Sequence, residues 1–442
     1  MTVSVNFDKI TGRIKPLHGI GNAPLLGTNP KLFPYLKEAG IPYSRLHDTG
    51  GRYGGGCFVD INNVFRDFDR DPKDPDSYDF AFTDWLITEL VQQGVKPFYR
   101  LGTTIENSHR IKAYYIYPPK DKLKWAQICE GIIRHYNEGW ASGFYYDIEY
   151  WEIWNEPDNE PNIEDNPMWK GTMEEYFELY KVASNYLKDK FPHLKIGGYA
   201  SCGFYYLSEA VVESANSSTR TGYFIHFFNE FLKFITSEEN KSPLDFFSWH
   251  SYANPQENIK YAKYARKMLD EYGLYDTETI LNEWNPGIQY RSTSKDCANI
   301  AAMFCALQKA PVDKAMYYDG QVHTSYGGMF DPVKQDIFKA YYAFYAFNKL
   351  YELSNEIECS SSKEGIYTIA AIDTNTARIL ISNPTEKEYN LAIQTYTRKK
   401  ITSVRKHIVD RDKNFEETDE NRLTPESIIL IEYEFERNEK ND

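Results

Sequence analysis

The sequence predicts an α/β chain: a (β/α)8 TIM-type barrel with an accessory C-terminal β-sandwich. Two observations carry this. Over most of its 442 residues, eight short apolar runs alternate with long amphipathic segments, the pattern of βα units around a parallel sheet. After Leu350 the runs become short, alternating and bounded by polar turns, as in a sandwich.

The elements follow in order. TVSVNFD precedes the barrel and is expected to pair with the C-terminal strands. The eight barrel strands are HGIGNAPL near residue 20, YSRLHD at 43–48, KPFYRLG at 96–102, EYWEIWNE at 149–156, KIGGYAS at 195–201, FFSWHSYA at 246–253, ETILNEWN at 278–285 and KAMYYDG at 314–320. Between them, segments such as FTDWLITELVQQG, KWAQICEGIIRHYNEG, EEYFELYKVASNYLKDKF, ENIKYAKYARKMLDEYG, CANIAAMFCALQKA and QDIFKAYYAFYAFNKL (from Gln335) repeat apolar residues three and four apart. That spacing gives each helix one buried face. GIYTIAAIDT, ARILISNP, YNLAIQTYT, TSVRKHIVD and ESIILIEYEF then supply the sandwich. The division expected is barrel 14–345 and sandwich 346–442, the latter joined by residues 1–13.

Composition narrows the function. Hydrophobic residues are 42% and charged residues 26%, enough for a sizeable core. A net charge of −14 argues against nucleic acid and anionic membrane surfaces. No run of about 20 apolar residues predicts a membrane span. MTVSVNFDKITGRI has no apolar leader core, so the chain as given reads as cytoplasmic, or as periplasmic or secreted if a leader was removed. The six cysteines, Cys57, Cys129, Cys202, Cys297, Cys305 and Cys359, are scattered without metal-like spacing and read as free thiols. Aromatics reach 16%, 36 of them tyrosine, which serves a large core and also sugar stacking. In the loop Asp60–Asp79, Asp67, Asp69 and Asp71 alternate as calcium ligands can, but without an EF-hand glycine and glutamate. The favoured reading is a solvated loop with capping aspartates.

The chemistry centres on two glutamates. EYWEIWNEPDN ends an apolar run on Asn155, Glu156 and Pro157, and ETILNEWNP ends another on Glu283. In a barrel of this kind, reacting groups sit at the C-terminal strand ends. Strands 4 and 7 face each other, so the carboxylates converge from opposite walls. Acid-assisted displacement at a sugar carbon needs such a pair. A separation of roughly 5–5.5 Å would give retention of anomeric configuration and roughly 6.5–9.5 Å inversion. Pro157 is expected to bias Glu156 toward an extended backbone.

WEIWNEPDN resembles the acid/base motif of clan A glycoside hydrolases and LNEWN the nucleophile motif. With SRLHD, DPKDPDSYDFAFTDWLITELVQQGVKPFYRLG, FFSWHSYA and the C-terminal sandwich, nearly the whole chain is similar to glycoside hydrolase family 39, the β-xylosidase and α-L-iduronidase family. The resemblance implies a retaining double displacement with Glu156 as acid/base and Glu283 as nucleophile. It also implies that Asn155 binds the sugar 2-hydroxyl, Tyr252 donates to the nucleophile and His250 supports the acid/base or the sugar. Arg45 and His47 alternate on strand 2, with Arg45 placed to make charge-assisted bonds to Glu283 and His47 to reach a sugar hydroxyl. Trp284, just past the nucleophile, is expected as an apolar wall, with an ordinary core tryptophan as the other reading.

Strand 8 departs from the xylosidase pattern, which usually shows a tryptophan-rich strand followed by acidic residues. Here it reads MYYDGQVHTSYGG, with Tyr317, Tyr318, Asp319 and Gln321, and Tyr318 is taken as substrate-binding. TTIENSHRIKAYYIYPPKD and SYGGMFD are expected to build subsites, with Glu106 and His109 as candidates. The leading expectation is an exo-acting, β-xylosidase-like glycosidase with a carbohydrate substrate and neither metal nor organic cofactor. Homo-oligomerisation stays open. The alternatives are an α-L-arabinosidase, another glycosidase of the same family, or an inactive carbohydrate-binding protein. Iduronidase activity is disfavoured, because only Arg45, Arg52 and Arg100 lie near the mouth.

Overall fold

Eight parallel strands close into a barrel in the computed structural model, which describes residues 1–25, 29–49, 59–105, 114–208 and 219–436. Glu106, His109, Arg52, Cys57 and most of the charged tail lie outside the described residues. After an N-terminal strand β1 (Thr2–Arg13), the barrel runs β2 (Gly19–Gly21), β3 (Tyr43–Leu46), β4 (Lys96–Leu101), β5 (Tyr150–Ile153), β6 (Lys195–Ser201), β7 (Phe246–Ser251), β8 (Glu278–Trp284) and β9 (Lys314–Tyr317). Each strand pairs with the next, and β2 closes on β9 through Gly19 opposite Met316. All eight expected barrel strands are present.

Strand alternation sorts the side chains into layers. Tyr43, Phe98, Tyr150, Phe246, Ile280 and Met316 form an apolar layer of their own. Two residues further along each strand the facing positions turn polar: Arg45, Arg100, Glu152, Ser248 and Asn282 are all fully or almost fully buried. The intervening residues, Leu46, Tyr99, Leu101, Trp151, Ile153, Phe247, Trp249 and Leu281, join the core shared with the helices.

The helices behave as amphipathic segments should. Met173–Lys190 starts on a Thr172–Glu175 capping box and Pro255–Glu271 on an Asn254–Glu257 box. One boundary differs from expectation. The helix expected from Gln335 begins at Tyr341, because Phe330–Asp331 pairs with Asp336–Ile337 and Asp331 accepts the Val333 and Lys334 N–H groups. That side-chain turn competes with helix formation.

Beyond the barrel, β1 and seven C-terminal strands form an eight-stranded sheet. Its order is Ala392–Tyr396, β1, Asn355–Ser361, Tyr367–Ile372, Thr376–Asn383, Ser427–Phe435, Ile401–Val409 and Asn414–Glu417. A two-stranded pair, Tyr389–Asn390 with Arg422–Leu423, shares its core. The central strands are buried on both faces. Ile429, Ile431 and Tyr433 enter the sheet's own core, while Ile428 and Leu430 join the barrel core. Ser382 Oγ also donates to the Ala298 carbonyl of the helix Ser294–Gln308 at 2.6 Å. The position between residues 345 and 346 falls inside the helix Tyr341–Tyr351, whose Phe344 packs on Tyr317 of β9.

No helix among the described residues is long and apolar enough to cross a membrane. Cys129, Cys202, Cys297, Cys305 and Cys359 are free and buried. Asp67 and Asp71 accept the N–H groups two residues on, at 3.1 and 2.9 Å, as loop-shaping aspartates do.

Candidate active site

Glu283 owes its direction to an irregularity in β8. Trp249 pairs with Leu281, but the next pair is His250 with Glu283; on the other side Leu281 pairs with Ala315 and then Trp284 with Tyr317. One extra residue therefore stands in β8 against both neighbours, a bulge that re-aims a side chain. Asn282 reaches inward to Glu152, and Glu283 also reaches inward, to Arg45 and Tyr252.

The same bulge turns Trp284 away. It is fully buried and packs edge-on against Phe304 and Tyr317, in the core shared with the helices. The expectation that Trp284 walls the site is thereby corrected.

Glu156 lies past the end of β5, which stops at Ile153. Trp154 has φ 76° and Glu156 φ 45°, so Glu156 is left-handed rather than extended. The turn closes when Asn159 N donates to the Glu156 carbonyl at 3.1 Å and Glu156 N donates to the Ala200 carbonyl at 3.0 Å. Pro157 disfavours only the right-handed helical region at Glu156, and the left-handed geometry swings the carboxylate over the barrel mouth.

The two carboxylates meet over His250. One oxygen of each glutamate and a ring nitrogen of His250 all lie within 4.8 Å of one another. His250 Nδ1 is 2.6 Å from Glu156 Oε1 and 3.6 Å from Glu283 Oε2. Asn159 Nδ2 donates to Glu156 Oε2 at 2.7 Å, and the Cys202 thiol also bonds this carboxylate. Burial pushes the Glu156 carboxyl up, but the bond to His250 and its charge, with Asn159 and Cys202, hold it below its ordinary value. Burial likewise pushes the His250 imidazole down, and the charges of Glu283 and Glu156 reverse this and raise it.

Glu283 has its own partners. Tyr252 OH donates to Oε1 at 2.6 Å, and Arg45 Nη1 lies 3.2 Å from Oε2. Arg45 also donates through Nε to Glu152 at 2.8 Å and through Nη2 to Asn155 Oδ1 at 2.6 Å, which fixes the Asn155 amide. Glu156, His250 and Glu283 are the one His/Cys/Asp/Glu set among the described residues close enough to chelate a cation. The adjacent Arg45 guanidinium and the His250–Glu156 pair disfavour a further positive charge there.

His47 and Tyr318 converge on Asp48. His47 accepts from Arg100 Nε at 3.1 Å, its Nε2 is 3.3 Å from Asp48 Oδ1, and Tyr318 OH donates to Asp48 Oδ2 at 3.1 Å. Burial, then Arg100 and Arg45, push His47 well below its ordinary value. Burial, then the Glu283 charge, push Asp48 up to about 6. Asp319, which accepts from Thr324 and Gln321, is pushed by burial up to about 7. Eight of the nine expected site residues are thus gathered at one end of the barrel, and Trp284 is not.

Sequence reasoning missed Glu152, Asp158 and Asn159 as site residues. Glu152 is buried between Arg45, Ser248 and Asn282. Its signal was a charge in the middle of an otherwise apolar strand. Asp158 is fully buried, accepts from Ser201 Oγ at 2.7 Å and from the Cys202 N–H, and is pushed by burial up to about 7.

A family model described as glycosyl hydrolases family 39 matches residues 37–288. The chain is 26% identical over 431 residues to a beta-xylosidase from Caldicellulosiruptor saccharolyticus, covering 89% of this chain and 78% of that protein. Among solved structures, a glucosidase from Croceicoccus marinus superposes with TM-score 0.79 at 22% identity over 98% of both chains. A monomeric beta-xylosidase from Caulobacter crescentus gives 0.66 at 16% identity, over 98% of this chain and 99% of that one. A family 39 enzyme from Xanthomonas axonopodis pv. citri gives 0.69 at 16% identity, over 98% of this chain and 97% of that one.

Proposed function

Because the chain belongs to glycosyl hydrolase family 39, we propose that it is a retaining, exo-acting β-xylosidase working by double displacement. It is a glycoside hydrolase, and its substrate is a carbohydrate. The single observation that carries the finer reading is the spacing and separate support of the two glutamates. Their nearest oxygens lie within 4.8 Å, which favours the roughly 5–5.5 Å class of retaining carboxyl pairs over the water-spanning inverting class.

Glu283, oriented by Tyr252 and Arg45, attacks the anomeric carbon. Glu156 gives its proton to the departing oxygen, and the C–O bond to the leaving group breaks as the glycosyl ester to Glu283 forms. Glu156 then takes a proton from water as that water attacks the same carbon and releases Glu283. Asn155, with its amide fixed by Arg45, donates to the sugar 2-hydroxyl. The β-xyloside preference is taken from the curated relative.

The test is a panel of aryl glycosides with wild type, Glu156→Ala and Glu283→Ala. Both variants lose activity on poor leaving groups. Glu156→Ala retains part of its rate on activated ones and is rescued by azide, giving a β-glycosyl azide. Undiminished hydrolysis by Glu283→Ala would sink the mechanism, and a best substrate other than a β-xyloside would sink the sugar assignment.

A further inference from the structure

We propose that Arg220, acting through Asn159, is a positioning residue that orients the acid/base carboxylate and tunes its hold on the proton. The proposal rests on the reading of Glu156 as acid/base. An asparagine presents an oxygen on one side and an NH2 on the other, of nearly equal shape. Facing Glu156 with the NH2 stabilises the carboxylate, whereas facing it with the oxygen repels it. Asn159 Nδ2 faces Glu156 Oε2 at 2.7 Å, so something must hold that orientation.

Arg220 does so. Its Nη2 donates to Asn159 Oδ1 at 2.9 Å and its Nε to the Asn159 carbonyl at 2.8 Å. Because an arginine only donates, a flipped amide would set NH2 against guanidinium and oxygen against carboxylate, losing both bonds together. Arg220 is itself braced. It begins the helix Arg220–Thr236, forms a 2.6 Å ion pair with Glu160 and lies over the Phe224 ring. It thus clamps the turn carrying Glu156 from outside, while Asn159 is 7% exposed. Arg220 lies far along the chain from the Asn155–Glu156–Pro157 motif and never touches the carboxylate.

The groups facing Glu156 are His250 from β7, Tyr252 just after it, Cys202 and Tyr205 after β6, Asn159 and Asp158 from its own loop, and Glu283 from β8. Three of these donate to the carboxylate. Removing one donor strengthens the carboxyl's hold on its proton, and the limb it governs belongs to the coupled His250–Glu156 pair.

The experiment is the pH dependence of kcat/KM on an aryl β-xyloside with a poor leaving group, for wild type, Glu156→Ala, Asn159→Ala, Asn159→Asp and Arg220→Ala. Thermal unfolding is followed in parallel. Asn159→Ala moves the alkaline limb up by about one pH unit, the size of one charge-assisted hydrogen bond. Asn159→Asp, which is isosteric and adds a charge, moves it further. Arg220→Ala moves it by less, and the acidic limb stays in place. A purely structural role would lower the unfolding temperature and leave the alkaline limb unmoved, which overturns the proposal. A shift in the Asn159 variants without one in Arg220→Ala overturns the relay. Full activity in Glu156→Ala would instead refute the acid/base reading itself.

Discussion

Tyr252→Phe removes one oxygen and tests the nucleophile's support directly. The Tyr252 hydroxyl donates to Glu283 Oε1 at 2.6 Å, a short bond to a group that is only 7% exposed. Tyr252 itself is 38% exposed, so losing its hydroxyl opens no cavity, and the fold should shift by no more than about 0.5 kcal/mol. A hydrogen bond to a charged group is worth about 1.5–3 kcal/mol, or roughly 10- to 150-fold in rate if lost at the transition state. Arg45 remains 3.2 Å from the other oxygen, so the loss is partial rather than total. The assay is kcat and KM on a series of aryl xylosides of graded leaving-group ability, with thermal unfolding as the control. The expected result is a fall in kcat within that range at nearly unchanged unfolding temperature. A kcat within threefold of wild type, a bound on the order of half the smallest expected effect, would refute the claim that this bond supports the nucleophile.

Three further outcomes follow from the same geometry. Trp284→Phe should unfold about 1–2 kcal/mol more easily, as expected for lost core volume, with KM unchanged; a large rise in KM would return Trp284 to the substrate wall. Arg100→Met strips Asp60 of its buried partner at 2.7 Å and should cost about 3–5 kcal/mol in urea unfolding; a neutral effect would show that Thr103 and Thr104, whose hydroxyls both donate to Asp60 at 3.1 Å, suffice to hold it. Burial raises Asp158 from 3.8 to about 7, so its contribution to stability is full below pH 4 and lost as the pH rises through 7. The unfolding temperature of Asp158→Asn relative to wild type should therefore rise between pH 5 and pH 8, and a flat difference would contradict the assignment.

How much was legible in the sequence depended on whether a signal was local. Barrel strands buried on both faces leave continuous apolar runs, and all eight could be read. Glu156 and Glu283 stood out because each ends such a run. Trp284 was misplaced because its place directly after Glu283 was read as nearness to the site, and nothing in LNEW marks the extra residue that sets which side chains face inward. The helix beginning at Tyr341 was started too early because apolar spacing continues through Ile337 and Phe338, while the Asp331 turn that blocks it lies further upstream. Arg220 and Asn159 meet only through the fold. A pair so distant in sequence leaves no periodicity for a single chain to display.

The N-terminal strand has a consequence for how the chain is made. β1 lies between Asn355–Ser361, to which it is antiparallel, and Ala392–Tyr396, to which it is parallel. Val3, Val5 and Phe7 fill the same core as Ile429 and Ile431. β1, which precedes the barrel in the chain, must therefore wait for strands made after the barrel before it finds its neighbours, whereas the barrel has all its strands once Tyr317 has emerged. Pairing of such wide sequence separation is slow and leaves an apolar edge unpaired meanwhile. Synthesis thus completes the barrel's strands first, and β1 is retrieved only as the later strands that also cover the barrel core through Ile428 and Leu430 emerge.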